Sequence, residues 1–366
     1  MNRAKQVDKV LLVIVAILLL AGFLIFTSAS LGLIARSGAK FSSIALNQFL
    51  SIILGISVAY VISKIHYTFW RKWSFYILLI SLAITLLVFV PMFGLQFGGG
   101  KRWIALGSYS FQPAELLKIG FIIYCASWFA SAKAKITTLK HGLVPILVLL
   151  AVVGTILLKQ PDTGTFLSIF IATVGMFVAA GGRLRHLFVL ILIGLVGFSA
   201  LVYTRPYLME RIVTYLNPTR DSLGAGYQIQ QSLIAVGSGE FFGRGFGQSI
   251  QKFSFLPEPV GDSIFAVAAE EFGFVGSVTL ILFFLFFTMR ALRIASTAPD
   301  MFGGLMIVGI VILIVSGSFI NIGSMIGVIP LSGEPLAFVS HGGSAMLFTL
   351  IEVGIILNIS RFRKIM

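Results

Sequence analysis

The chain has 366 residues, of which 58% are hydrophobic and 11% charged, with a formal net charge of +14 and a mean hydropathy of +1.02. Soluble domains carry about 25% charged residues, so a water-soluble globular fold is excluded. The single cysteine, Cys125, excludes a disulfide framework and a cysteine metal site.

Runs of about 18 or more apolar residues mark membrane-spanning helices. The chain offers ten candidates, at 10–34, 44–63, 73–93, 113–131, 142–158, 165–181, 187–204, 262–289, 302–327 and 342–360. The expected fold is therefore an all-α polytopic membrane protein of about ten transmembrane helices, one integral membrane domain over 1–366. The first apolar stretch is longer than the roughly 7–15 residues of a signal peptide and reads as a retained signal-anchor. With the amino terminus in the cytoplasm, alternation of the spans puts sixteen basic residues on the cytoplasmic side against only Asp8 and Asp300. Arg3, Lys5, Arg290, Arg363 and Lys364 are among them, and the group accounts for the whole +14. Both termini are then cytoplasmic. Basic residues in short loops beside spans meet anionic membrane lipids, and nucleic acid is not an expected partner.

Between the third and fourth spans, GGGKRWIALGSYSFQPAELLK (98–118) is a glycine-rich stretch followed by Lys101, Arg102 and Trp103. It runs into a helix opened by Gln112 and Pro113, a placement that suits a first turn. Glu115 and Lys118 stand at i,i+3 and can pair on one helix face. Either that pair neutralises itself, or Lys118 joins Lys101 and Arg102 in holding an anion. Spans 142–158 and 165–181 are short and separated by LKQPDTG, so a tight hairpin or re-entrant pair is a second reading there. Asp162 lies at the tip, where turn chemistry alone explains Pro, Asp, Thr and Gly.

The largest loop, about 205–261, lies between the seventh and eighth spans and is extracytoplasmic in this orientation. Its MERIVTYL has apolar residues at helical spacing and suits an interfacial helix. GSGEFFGRGFGQS is rich in glycine, which lets backbone approach a ligand closely. The loop's aromatic and aliphatic content argues for order. It carries the cations Arg211, Arg244 and Lys252.

FSFLPEPVGDSIFAVAAEEFG (253–273) follows, with Glu258, Asp262, Glu270 and Glu271 among the thirteen acids of the chain. On a helix starting at Asp262, Glu270 lies about 80° and Glu271 about 180° around the axis. The latter two sit inside the span, where they satisfy buried polar partners. Asp262 sits at the mouth, as a helix cap or as a reactive group. PLSGEPLAFVSHGGSA (330–345) adds Glu334, His341 and Ser344 on the same side. These polar, glycine-bearing segments could enclose a site for a polar headgroup with an apolar tail.

FQPAELLK, KQPDTG, GYQIQQSLIAVGSGEFFGRGFGQSIQK, LPEPVGDSIFAVAAEEFGFVG, NIGSMIGVIPLSGEPLAFVSHGGSA and LNISR resemble the motifs of the SEDS family, the FtsW and RodA proteins. The resemblance implies a peptidoglycan glycosyltransferase that polymerises lipid II, an undecaprenyl-pyrophosphate-linked disaccharide peptide, at the outer face of the bacterial cytoplasmic membrane. It also implies a class B penicillin-binding protein as partner. The family's essential aspartate falls on Asp262, the expected general base. Polar groups near the family's cavity match Trp103, Gln112, Glu115, Lys118 and Asp162. Lys101, Arg102, Lys118, Arg211, Arg244 and Lys252 are the cations expected to balance leaving-group charge. The absence of a D-x-D motif accords with a lipid-linked donor and leaves a divalent cation open as cofactor. LNISR leans towards the division branch. The chain departs from the family pattern at Val260, Gly261, Ser263 and His341. A lipid II transporter using Glu270, Glu271 and Glu352, and a non-catalytic scaffold recruiting a penicillin-binding protein, are the alternative functions.

Overall fold

Long apolar runs in hydrocarbon must satisfy every backbone group internally, and an isolated segment can do so only as a helix. The computed structural model describes residues 6–37, 41–97, 100–106, 109–221, 224 and 226–363. Arg3, Lys5, Gly98, Gly99 and Lys364 lie outside these residues. In chain order come α1 (Lys9–Ser37), α2 (Phe41–Lys64), α3 (Thr68–Leu86), α4 (Pro113–Ala132), α5 (Val144–Lys159), α6 (Thr163–Ala179) and α7 (Leu184–Thr204). They are followed by α8 (Pro206–Leu216), α9 (Tyr227–Ser238), α10 (Gln251–Ser254), α11 (Ile264–Ser296), α12 (Met301–Met325) and α13 (Gly343–Ser360). Among the described residues, nine helical segments are long and apolar enough to cross a membrane. The short tenth is α6, whose 17 residues span about 26 Å, the low end of a crossing. The chain is a multi-pass membrane protein.

The segment after α3 departs from the expected glycine-rich approach. It forms an antiparallel sheet of β1 (Gly94–Phe97), β2 (Gly100–Leu106) and β3 (Tyr109–Phe111), in that order. The cause is the alternation along Lys101–Leu106, which puts Ile104 inward and Lys101 outward. Ile104 pairs with Phe111, whose ring meets Phe348 of α13 at 5.7 Å.

The loop after α7 is ordered, as its composition suggests, and its main task is to complete a broken helix. Gly273 (φ 65°, ψ −162°) interrupts α11, so the uninterrupted span expected from Asp262 onward is really a short helix, a break and a membrane-length helix. A break in so apolar a setting exposes backbone groups that cost several kcal/mol each if unpaired. The loop supplies all four partners. The amides of Arg244 and Gly245 donate to the carbonyls of Glu270 and Glu271 at 3.0 and 2.9 Å. The amides of Phe274 and Val275 donate to the carbonyls of Glu240 and Phe241 at 2.9 and 3.1 Å. The approach is so close that a β-carbon on Gly273 would lie 2.3 Å from the Gly243 nitrogen.

The two glutamates before the break anchor the same loop. Glu270 accepts from Ser249 Oγ at 2.6 Å and from the Ile250 amide at 3.0 Å, and pairs with Arg244 at 3.4 Å. Glu271 pairs with Lys252 at 2.6 Å and accepts from Ser28 Oγ of α1 at 2.6 Å. At the opposite end of α11, buried Asp8 holds Arg290 at 2.6 Å and Arg363 at 2.6 Å, which brings the two ends of the described chain together. Lys252→Met alone strands the buried Glu271 carboxylate, and thermal unfolding in detergent should report a loss of about 3–5 kcal/mol. Lys252→Met with Glu271→Leu should restore most of that loss.

Candidate functional site

The turn that carries Asp262 is held by its carbonyls. Glu258 takes a left-handed conformation (φ 45°), and its carbonyl receives the amides of Gly261 at 3.0 Å and Ser263 at 3.2 Å. The His341 amide donates to Val260 O at 2.7 Å, and Ser340 Oγ donates to Gly261 O at 2.9 Å. Asn321 of α12 donates through Nδ2 to Asp262 O at 2.8 Å and to Glu334 O at 2.8 Å. Capping, one of the two roles considered for Asp262, falls to a neighbour in position. The helix starts at Ile264 with Ser263 as its N-cap residue, and Ser263 Oγ instead accepts from Gln228 Nε2 at 3.1 Å.

The carboxylate of Asp262 is left facing a cavity of about 480 Å³ lined by Arg102, Pro161, Tyr207, Glu210, Arg211, Thr214, Tyr215, Gln228, Ile229, Met325, Leu331 and Gly333. Both guanidiniums are fixed by backbone oxygens. Arg102 donates to the carbonyls of Gln160, at 3.2 Å, and Pro161. Arg211 donates through Nη1 to Ser332 O at 3.1 Å, with the Tyr207 ring 5.9 Å from its guanidinium carbon. Carbonyl partners orient a guanidinium without cancelling its charge. Burial, and then the like charge of Arg102, push Arg211 down from its ordinary value. Burial and then the Glu258 carboxylate push the Asp262 carboxyl up to about 6, against the opposing pull of Arg211 and Arg102. A carboxylate poised near neutrality beside two uncancelled cations is equipped to take a proton while anionic charge develops close by.

Other expected site residues go elsewhere. Asp162 is the N-cap of α6, accepting from the Thr165 amide at 3.4 Å and from Gln112 Nε2 at 3.2 Å, and lies behind the Arg102 anchor. Lys101 is exposed on β2 and Trp103 is half-buried, and neither lines the cavity. Lys252 and Arg244, expected to balance leaving-group charge, are instead paired with Glu271 and Glu270 at the α11 break. Buried acids there claim them, which their place in a polar loop did not reveal.

Glu115 and Lys118 do pair, at 2.9 Å, but they line a second, much smaller cavity with Glu334 and Glu352. Its volume of about 30 Å³ is room for about one water molecule. Among the described residues no three His, Cys, Asp or Glu gather in a way that could hold a metal. Tyr207, Glu210, Arg211 and Thr214 line the main cavity although only Arg211 was expected there. Their spacing of three, four and seven residues along α8 is a readable helical stripe.

The chain is thus a membrane bundle with a polar, cationic cavity at the start of a broken helix. The chain matches the family described as cell cycle protein, FtsW/RodA/SpoVE, over residues 8–365, and it belongs to that family. It is 39% identical to stage V sporulation protein E of Bacillus subtilis (strain 168), covering 100% of both chains. It is 35% identical to the probable peptidoglycan glycosyltransferase FtsW of Geobacter sp. (strain M18), covering 98% of both. Among solved structures it resembles a chain from work on the structural coordination of polymerization and crosslinking by a peptidoglycan synthase complex, with a TM-score of 0.79 and 26% identity over 98% of both chains. A mutant form of Thermus thermophilus rod shape determining protein RodA superposes with a TM-score of 0.71 at 25% identity, again over 98% of both.

Because Asn321 holds the turn, Asn321→Ala should speed hydrogen exchange at the Gly261 and Ser263 amides by about fivefold, since one lost hydrogen bond is worth about 1 kcal/mol. Exchange in the far half of α11 should not change.

Proposed function

We propose that this protein is a peptidoglycan glycosyltransferase that polymerises lipid II into β-1,4 glycan at the outer face of the bacterial cytoplasmic membrane. The observation that carries this reading is the juxtaposition of Asp262 with Arg102 and Arg211 in one cavity. Lipid II presents its disaccharide on an α-linked pyrophosphate and the product linkage is β, so the anomeric carbon inverts once and no covalent nucleophile is required. Asp262 accepts the proton of the acceptor 4-hydroxyl as its oxygen bonds to the anomeric carbon. The bond from that carbon to the pyrophosphate oxygen breaks, and its electron pair leaves on pyrophosphate. Arg102 and Arg211 balance the charge that appears there. Asp162 and Gln112 support Arg102 from behind, through the turn whose carbonyls it binds.

The end of the bundle holding Asp8, Arg290 and Arg363 is the cytoplasmic one on the positive-inside bias, so the cavity faces outward. A class B penicillin-binding protein is the proposed partner, supported by likeness to a chain of a complex that couples polymerization to crosslinking. Likeness to a relative named a probable peptidoglycan glycosyltransferase supports the reaction. The transporter alternative draws on Glu270, Glu271 and Glu352, and the first two are committed to the loop at the α11 break.

The deciding experiment is glycan-chain formation from purified lipid II by the protein with its penicillin-binding partner. A transporter or scaffold makes no polymer in that assay. Because Asp262 must be ionised to act and its carboxyl sits at about 6, kcat/KM should fall roughly tenfold per pH unit below that value.

A further inference from the structure

Glu334 has no part in the proposed chemistry, yet its position is unusual. It is 4% exposed and lies in the loop between α12 and α13, and among the described residues no donor reaches its carboxylate. Its neighbour Gly333 lines the main cavity, where a β-carbon would lie 3.6 Å from Asp262 Oδ2, while Glu334 turns into the small cavity behind. The wall between the two cavities is thus one residue thick. The same loop supplies two of the anchors on the Asp262 turn, through Ser340 Oγ and the His341 amide, and its Glu334 O shares the Asn321 amide with Asp262 O.

The surroundings of Glu334 disfavour a negative charge. Lys118 is the cation that faces it, and Lys118 already holds Glu115 at 2.9 Å. Four acids face it, Asp162 at the start of α6, Glu115 on α4, Asp262 across the wall and Glu352 on α13, while Arg211 and Arg102 lie beyond the wall in the main cavity. The amino end of α6 pulls the other way, since a β-carbon on Gly164 would lie 2.6 Å from Glu334 Oε1. The balance, dominated by burial, pushes the carboxyl up to about 7. Ser168 Oγ is buried without a partner, and a β-carbon on Gly317 would lie 4.0 Å from it and 3.5 Å from Glu334 Oε2.

We propose that Glu334 is a positioning residue that works in its protonated form: the neutral carboxyl seats the loop between α12 and α13 against the Asp262 turn, and ionisation unseats it. No bond is made or broken by Glu334, and its proton exchanges with solvent. The activity it governs is the polymerisation proposed above, so the rate test rests on that reading.

The experiment is a pH–rate profile for lipid II polymerisation by the complex, alongside infrared titration of the protonated-carboxyl stretch. With Glu334 ionising at about 7, the wild-type rate should fall at least about fivefold from pH 7 to 9. Glu334→Gln should abolish that alkaline fall and leave the acid limb unchanged. A Glu334→Gln profile that keeps the alkaline fall overturns the proposal. The infrared titration is done on the Glu352→Gln protein, and needs neither activity nor a folded Glu334 variant. A glutamic acid band that disappears between about pH 6 and 8 supports the proposal, and a band absent throughout overturns it. Lack of polymer from wild type at every pH defeats the polymerase reading and leaves the infrared result to decide the state of Glu334.

Discussion

A base at a membrane face is useful only while its backbone keeps it aimed, and here the aim rests on one buried amide. Asn321 spends both hydrogens of Nδ2 on carbonyls, one of Asp262 and one of Glu334, each at 2.8 Å. Three elements that are distant in sequence thereby become one unit: α12, the turn before α11, and the loop before α13. The carbonyls of Glu258, Val260, Gly261 and Asp262 all receive donors, which fixes the backbone on both sides of the carboxylate. This also explains how the chain accommodates its own departures from the family pattern. The contact at His341 is made by its backbone amide, so the turn does not depend on the side chain at that position.

The same economy governs the charges. Glu270 and Glu271 at the α11 break are paired with bases and amides, and among the described residues no ion pair engages Arg102 or Arg211 in the cavity. Arg102 and Arg211 are oriented by carbonyl oxygens, which direct the guanidinium planes but leave the positive charge for an incoming anion. Had either been paired with a carboxylate of the protein, an entering anion would have to displace it. The broken helix serves the arrangement by decoupling the turn from the membrane-length part of α11. The short first segment can then seat against α12 and the loop while the rest crosses the bilayer.

Much of this was readable from residue order. Spans, the ordered long loop, the Glu115–Lys118 pair and the inward task of Glu270 and Glu271 follow from apolar length, helical spacing and the cost of a charge in hydrocarbon. The cavity-lining face of α8 was also there to be read, as the stripe from Tyr207 to Thr214. The sheet over Gly94–Phe111 was missed because glycines obscured its alternation. The fate of Lys252 and Arg244 could not be read locally, since it depends on Gly273 breaking the helix and on which acids the loop then meets. Asn321 was invisible for a like reason: an asparagine in an apolar helix announces a buried hydrogen bond but not its partner.

The most direct test of the account is polymer yield from lipid II by the partner-bound protein carrying Asp262→Asn, compared with wild type at the same pH. The substitution keeps the side chain's size and the backbone anchors but removes the proton acceptor. The account predicts polymer from wild type and a loss of at least about 10²-fold from the variant, with unchanged thermal stability of the complex. Equal polymer from both would contradict it, because the cavity would then be working without the base around which it is built.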